Sequence, residues 1–118
     1  FHLSYKKKKN DNVFLKSIKT NKVYSWEDVY TNTLKLSEEL SKIINVGDRC
    51  LIISENRPEW MITDLSIMLA KGITVPVYTT YTERDYEYII DDCKPAVIFV
   101  SDLIQYRKIE NIIKKKII

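Results

Sequence analysis

The sequence predicts an α/β fold with a mainly parallel sheet: a leading hairpin and helix, then a βαβαβα run. Three observations predict it. Short apolar runs at 50–53, 73–77 and 96–100 have the length and continuity of strands covered on both faces. Between and after them lie longer stretches whose apolar residues recur at three and four, the helical period. Ser25 with Asp28, and Thr82 with Asp85, stand at capping-box spacing where two of those stretches begin. Strands alternating with helices in this way argue for parallel pairing through right-handed crossovers.

Each element has its local reason. Residues 13–18 and 23–24 flank a turn-like 19–22, the pattern of a small hairpin. The first helix, capped by Ser25, turns Trp26, Val29, Tyr30, Thr33, Leu36, Leu40 and Ile43 to one side. Gly47 is expected to close it in the left-handed conformation. After the 50–53 strand, Pro58 suits a first helical turn, where its missing N–H has no partner to lose. The helix from Pro58 to about Lys71 is apolar nearly all round, so burial on more than one side is expected, and Gly72 is expected to end it. Pro76 in the next strand removes a ladder donor and places that strand end at an edge. A helix carrying Tyr86, Ile89, Ile90 and Cys93 follows, then a turn at Lys94 and Pro95. The last helix is expected to turn Leu103, Tyr106, Ile109, Ile112 and Ile113 inward and Lys108 and 114–116 outward or to its end.

Composition narrows the function. The chain has 118 residues, 45% of them apolar, enough for the core of one domain. It begins at Phe1 and ends on two isoleucines, so both ends look cut. Ile, Lys, Asn and Tyr are favoured over Ala and Gly, as an AT-rich genome would give, and much of the lysine is read as drift. The net charge is +3, with seven Lys and one acid in 1–25 against seven basic and fourteen acidic residues in 26–102. The lysine run at 6–9 has only Tyr5 beside it and reads as a solvated tail in a loose segment, 1–12; nucleic acid is not expected as a partner. Cys50 and Cys93 form no CxxC pair and His2 is the one histidine, so no metal site is expected and a reducing cytoplasm fits. No apolar run approaches the ~18 residues of a membrane span.

The glycines, Gly47 and Gly72, lie far apart, so no glycine-rich phosphate loop can be written. Adjacent carboxylates such as Glu38 and Glu39, or Asp91 and Asp92, do not converge on one point along a helix. No catalytic residue is therefore assigned. In parallel α/β sheets ligands sit beyond the carboxyl ends of the strands. The loops at 54–57, 78–82 and 101–102 qualify. The second, YTTYT, offers hydroxyls and rings, and Thr79, Thr80 and Tyr81 are its candidate ligand-facing residues; the plainer reading is a well-capped turn. Arg57 can pair Glu55 or Glu59 locally, the preferred reading, or serve an anion. A receiver-type signalling domain shares the rhythm but needs an acid cluster that these loops lack.

At these loops the sequence resembles a known family. DRCLIISENRPEW (48–60) is similar to a segment of long-chain acyl-CoA synthetases, and GITVPVYTTYT (72–82) to another. YSWED (24–28) and DDCKPAVIFV (91–100) resemble two more, all in register over about residues 13–104. The resemblance is to the adenylate-forming, AMP-binding superfamily, in its fatty acid–CoA ligase branch. It implies that 13–118 is the N-terminal part of an AMP-binding domain, truncated at its C-terminus. It implies a parent enzyme that uses ATP, Mg2+ and CoA on a fatty acid, giving an acyl-adenylate and then a thioester. The family's phosphate loop, adenine motif and catalytic Lys lie downstream of this stretch, so the chain alone is expected to be inactive. Related acetyl-CoA synthetases place a glycine pair near the position of Thr79 and Thr80, where CoA passes; this chain has Thr–Thr. A cytoplasmic location is expected, with peripheral membrane association left open. The rival class is a free-standing, non-catalytic α/β binding or interaction module.

Overall fold

The computed structural model describes residues 12–116, with side chains through residue 114. The lysine run at 6–9, His2 and the loose segment but for its last residue lie outside the described residues. Asn12 itself is tied down, its carbonyl accepting from Trp26 N at 2.9 Å.

Strands β1 (Val13–Lys16) and β2 (Val23–Ser25) pair antiparallel, with a register shift between Val13 and Leu15. Helix α1 (Trp26–Ser41) starts from a complete capping box: Ser25 Oγ accepts from Asp28 N, and Asp28 accepts from Ser25 N. Then come β3 (Arg49–Ile53), α2 (Pro58–Leu69), β4 (Ile73–Val77), α3 (Glu83–Cys93), β5 (Val97–Val100) and α4 (Leu103–Lys116). The second sheet has the order β4-β3-β5, all parallel. Pro76 therefore lies on an edge strand, as its missing donor requires.

The central strand explains the layering. Cys50, Leu51, Ile52 and Ile53 are all buried, and their side chains alternate between faces. Cys50 and Ile52 pack with Leu40, Ile44, Ile67 and Ala70, the α1–α2 side. Leu51 and Ile53 pack with Tyr86, Ile90, Ile109 and Ile112, the α3–α4 side. Burying each such side chain contributes about 2 kcal/mol, so β3 is the strand that both layers are built on. A third cluster, Tyr24, Val29 and Ile62, seats the hairpin on α1 and α2.

Several expectations are corrected. The first helix ends at Ser41, and its cap, Lys42, is right-handed. Its end tightens to three-residue spacing: Lys42 N donates to Glu39 O, and Ile43 N to Leu40 O. That shifts the phase by one residue, so Ile44 is buried and Ile43 is 66% exposed. Gly47 does take a positive φ of 84°, but in a turn beyond the helix. The second helix ends in a Schellman arrangement, with Gly72 N donating to Ile67 O and Lys71 N to Met68 O. Lys71, not Gly72, holds the left-handed position, at φ 65°. Gly72 is required for space instead: a Cβ there would lie 3.0 Å from Ile44 Cδ1 and 3.1 Å from Ile67 Cγ2. The all-round burial of α2 holds for Ile62 and Ile67 but not for Met68 or Leu69, which are exposed. In α4, Leu103 and Tyr106 face out, while Gln105 is buried and Lys108 is half-buried.

Candidate functional site

The connections out of the sheet place the site. After β3 the chain leaves to the α1–α2 face; after β4 and after β5 it leaves to the α3–α4 face. β3 lies between β4 and β5, so a crevice opens at its carboxyl end on both sides, where neighbouring connections diverge. Both crevices are present. One, of about 260 Å³, lies toward β4 and is lined by Ser54, Asn56, Trp60, Val77, Tyr78 and Tyr81. The other, of about 210 Å³, lies toward β5, with Arg57, Trp60, Thr63, Phe99 and Ser101 among its walls. Ser54 and Trp60 are common to the two.

The loop after β3 is held by a charge cluster. Arg57 Nε donates to Glu59 at 3.2 Å, and a second guanidinium nitrogen donates to Glu55 at 3.3 Å. Both local partners are engaged at once. Tyr24 Oη donates to the other Glu59 oxygen at 3.0 Å, carrying the cluster to the hairpin. Burial pushes the Glu59 carboxyl up, but its own backbone amide, Tyr24 and Arg57 together hold it below the usual carboxylate range. Glu55 is held low by its own backbone amide first, then by the nearby Ser101 hydroxyl. Ser101 Oγ nevertheless has no hydrogen bond of good geometry and is itself buried, although the residue lines the β5 crevice.

The loop after β4 is held from beneath. Lys108 Nζ donates to Thr79 O at 2.9 Å and to Tyr81 O at 3.3 Å, and it lies 5.8 Å over the Tyr86 ring. Tyr86 Oη donates to Tyr78 O at 2.7 Å. The same hydroxyl lies 3.1 Å from the Gln105 amide oxygen, yet a phenol has one proton. The shorter carbonyl contact takes it, so the Gln105 amide is turned to present its NH2 to Tyr86 Oη. Burial raises the Tyr86 pKa, keeping the phenol protonated for this task. Tyr78 and Tyr81 meet edge to face at 5.5 Å.

Of the residues singled out from the sequence, Tyr81 lines the β4 crevice, Thr79 is half-buried beside it, and Thr80 is exposed on the loop crest. Sequence reasoning missed Lys108, Gln105 and Trp60. Gln105 and Lys108 stand one helical turn apart on a face otherwise apolar, and that break in the stripe was the available signal. Among the described residues no three His, Cys, Asp or Glu side chains gather to hold a metal ion. No helix among them is long and apolar enough to cross a membrane.

The three-layer α/β unit is shared, over most of this chain, with solved structures of adenylate-forming enzymes. Residues 3–117 match the family described as AMP-binding enzyme, and the chain belongs to that family. It is 32% identical over 84 residues to a long-chain-fatty-acid–CoA ligase of Bacillus subtilis, covering 70% of this chain and 15% of that protein. It is 34% identical over 58 residues to the ligase FadD15 of Mycobacterium tuberculosis, covering 49% and 10%. The chain thus spans a small part of the length of these relatives. Among solved structures, ATP-bound MatB from Rhodopseudomonas palustris superposes with a TM-score of 0.78 at 22% identity, over 95% of this chain and 22% of that one. A luciferase-like enzyme from the mealworm Zophobas morio gives 0.82 at 19% identity, over 95% and 27%.

Proposed function

We propose that the chain is the N-terminal α/β portion of an ATP-dependent fatty acid–CoA ligase. The parent enzyme joins a fatty acid to ATP, releasing pyrophosphate and forming an acyl-adenylate, and then transfers the acyl group to the CoA thiol. The observation that carries this is the 32% identity over 84 residues to a long-chain ligase, together with the match of residues 3–117 to the AMP-binding family.

Phosphate and carboxylate charge must be met by amides, lysine and magnesium in such chemistry. No glycine-rich loop of this sequence can meet it, so those groups belong to the rest of the parent enzyme and no catalytic residue is assigned here. The contribution of this chain is positional: it builds one wall of the substrate region, with Thr79, Thr80 and Tyr81 facing ligand. Location in the cytoplasm, with or without peripheral contact with membrane, belongs to the same proposal.

The test has two parts. The coding sequence read past Ile118 is expected to supply a Ser/Thr/Gly-rich phosphate loop, and the intact product to form acyl-CoA from fatty acid, ATP and CoA. The 118-residue chain alone is expected to show no ATP–pyrophosphate exchange. A stop codon directly after Ile118, or exchange catalysed by the isolated chain, overturns the proposal.

A further inference from the structure

The loop after β4 is fastened through its carbonyls and through little else. Tyr78 O, Thr79 O and Tyr81 O are each taken by a side chain from α3 or α4. A trans peptide is planar, with its N–H opposed to the preceding C=O, and no peptide here is cis. Carbonyls of Tyr78 and Thr79 drawn toward the helices therefore turn the N–H groups of Thr79 and Thr80 the other way. Neither amide donates to another backbone group among the described residues. Thr82 N, which the same logic turns outward, is already taken by Asp85. What remains is a pair of successive amide donors, flanked by the Thr79 and Thr80 hydroxyls, on the crest beside the β4 crevice. Successive backbone N–H groups of this kind suit an oxygen acceptor, above all an anionic one.

We propose that Lys108, reaching across from α4, is a positioning residue that sets this donor pair, and that the pair receives an acceptor oxygen of a substrate of the parent enzyme. The inference rests on the function proposed above. Lys108 touches no substrate; it acts through the loop. Its ammonium is suited to the task because one group with three protons reaches two carbonyls at once, while the same nitrogen lies 5.8 Å over the Tyr86 ring. The acceptor oxygen can come from a phosphate of ATP, a phosphate of CoA or the fatty carboxylate. All three share the chemistry, and the kinetics separate them.

The experiment uses the intact protein in wild-type form and as Lys108→Met, Lys108→Arg and Lys114→Met. Methionine keeps the stem and removes the donor; arginine restores a donor able to bridge two carbonyls; Lys114 is an exposed partner of Glu110 and serves as the control. Hydrogen exchange at Tyr81 and Thr82, the loop amides that have partners, is expected to quicken about tenfold in Lys108→Met with β3 unchanged. Lys108→Arg and Lys114→Met are expected to exchange as wild type. Initial rates varied in each substrate are expected to show one KM raised about fivefold with kcat within about twofold, reversed in Lys108→Arg. The substrate whose KM moves is the source of the oxygen. Unchanged exchange in Lys108→Met overturns the lock. A loosened loop with every KM unchanged, or with kcat alone reduced, overturns the donor pair. If the wild-type protein forms no acyl-CoA, the functional proposal fails, while the exchange measurement still decides the role of Lys108 in the loop.

Discussion

Tyr24 and Glu59 lie 35 positions apart in sequence and meet through a 3.0 Å hydrogen bond from the phenol to the carboxylate. The hairpin that carries Tyr24 and the first turn of α2, which carries Glu59, thereby share one charge cluster, with Arg57 on the other carboxylate oxygen. Removing the hydroxyl leaves the ring packed among Val29 and Ile62 and deletes the bond to Glu59 together with the interaction of Lys22 with the same phenol. Tyr24→Phe is expected to lower stability by about 1–2 kcal/mol, as for a bond to a charged group. Denaturant unfolding of the protein, read by tryptophan fluorescence, checks it. No change in the midpoint would mean that the hairpin docks by its apolar side chains alone.

The same cluster sets a pH response. Glu55 and Glu59 both have carboxyl pKa values lowered by folding. A carboxylate with a depressed folded pKa contributes stability that is present above its unfolded value, about 4.3, and is lost as pH falls through the folded value. Stability is therefore expected to drop below about pH 4, and to drop less steeply in Glu59→Gln, which has no proton to gain. An acid-unfolding series on the two proteins reads this directly. Identical slopes would remove Glu59 from the account.

Lys71 and Gly72 call for opposite substitutions. Lys71 holds a left-handed conformation that costs a side chain about 1 kcal/mol. Lys71→Gly is expected to raise stability by roughly that amount, since its side chain is exposed. Gly72→Ala drives a methyl against Ile44, Ile67 and the Asp48 carbonyl, and is expected to cost about 1–3 kcal/mol. Thermal melts of the two variants should move in opposite directions; a common direction would contradict the geometry of this turn.

Much of the fold was legible in the sequence because local and global signals agree. Residues 50–53 are apolar without a break, and among the described residues they form the strand buried on both faces. The two capping boxes mark helix starts to the residue. What was misjudged shares a single cause, tertiary phase. Ile43 and Ile44 are indistinguishable to a periodic reading until the helix end tightens, and Gly72 looks like a left-handed cap until the neighbouring isoleucines are seen. The crevice loops were legible from the rule on strand ends, and the YTTYT stretch from its hydroxyls and rings. Lys108 was not, because a lysine on a final helix reads as solvated until a distant loop supplies carbonyls for it.

Ser54 and Trp60 line both hollows at the carboxyl edge of the sheet. What the two hollows share is thus a serine just past the end of β3 and an aromatic residue rooted in the first turn of α2. A substitution at either residue alters a wall of both chambers at once, so neither hollow can be reshaped there without touching its neighbour.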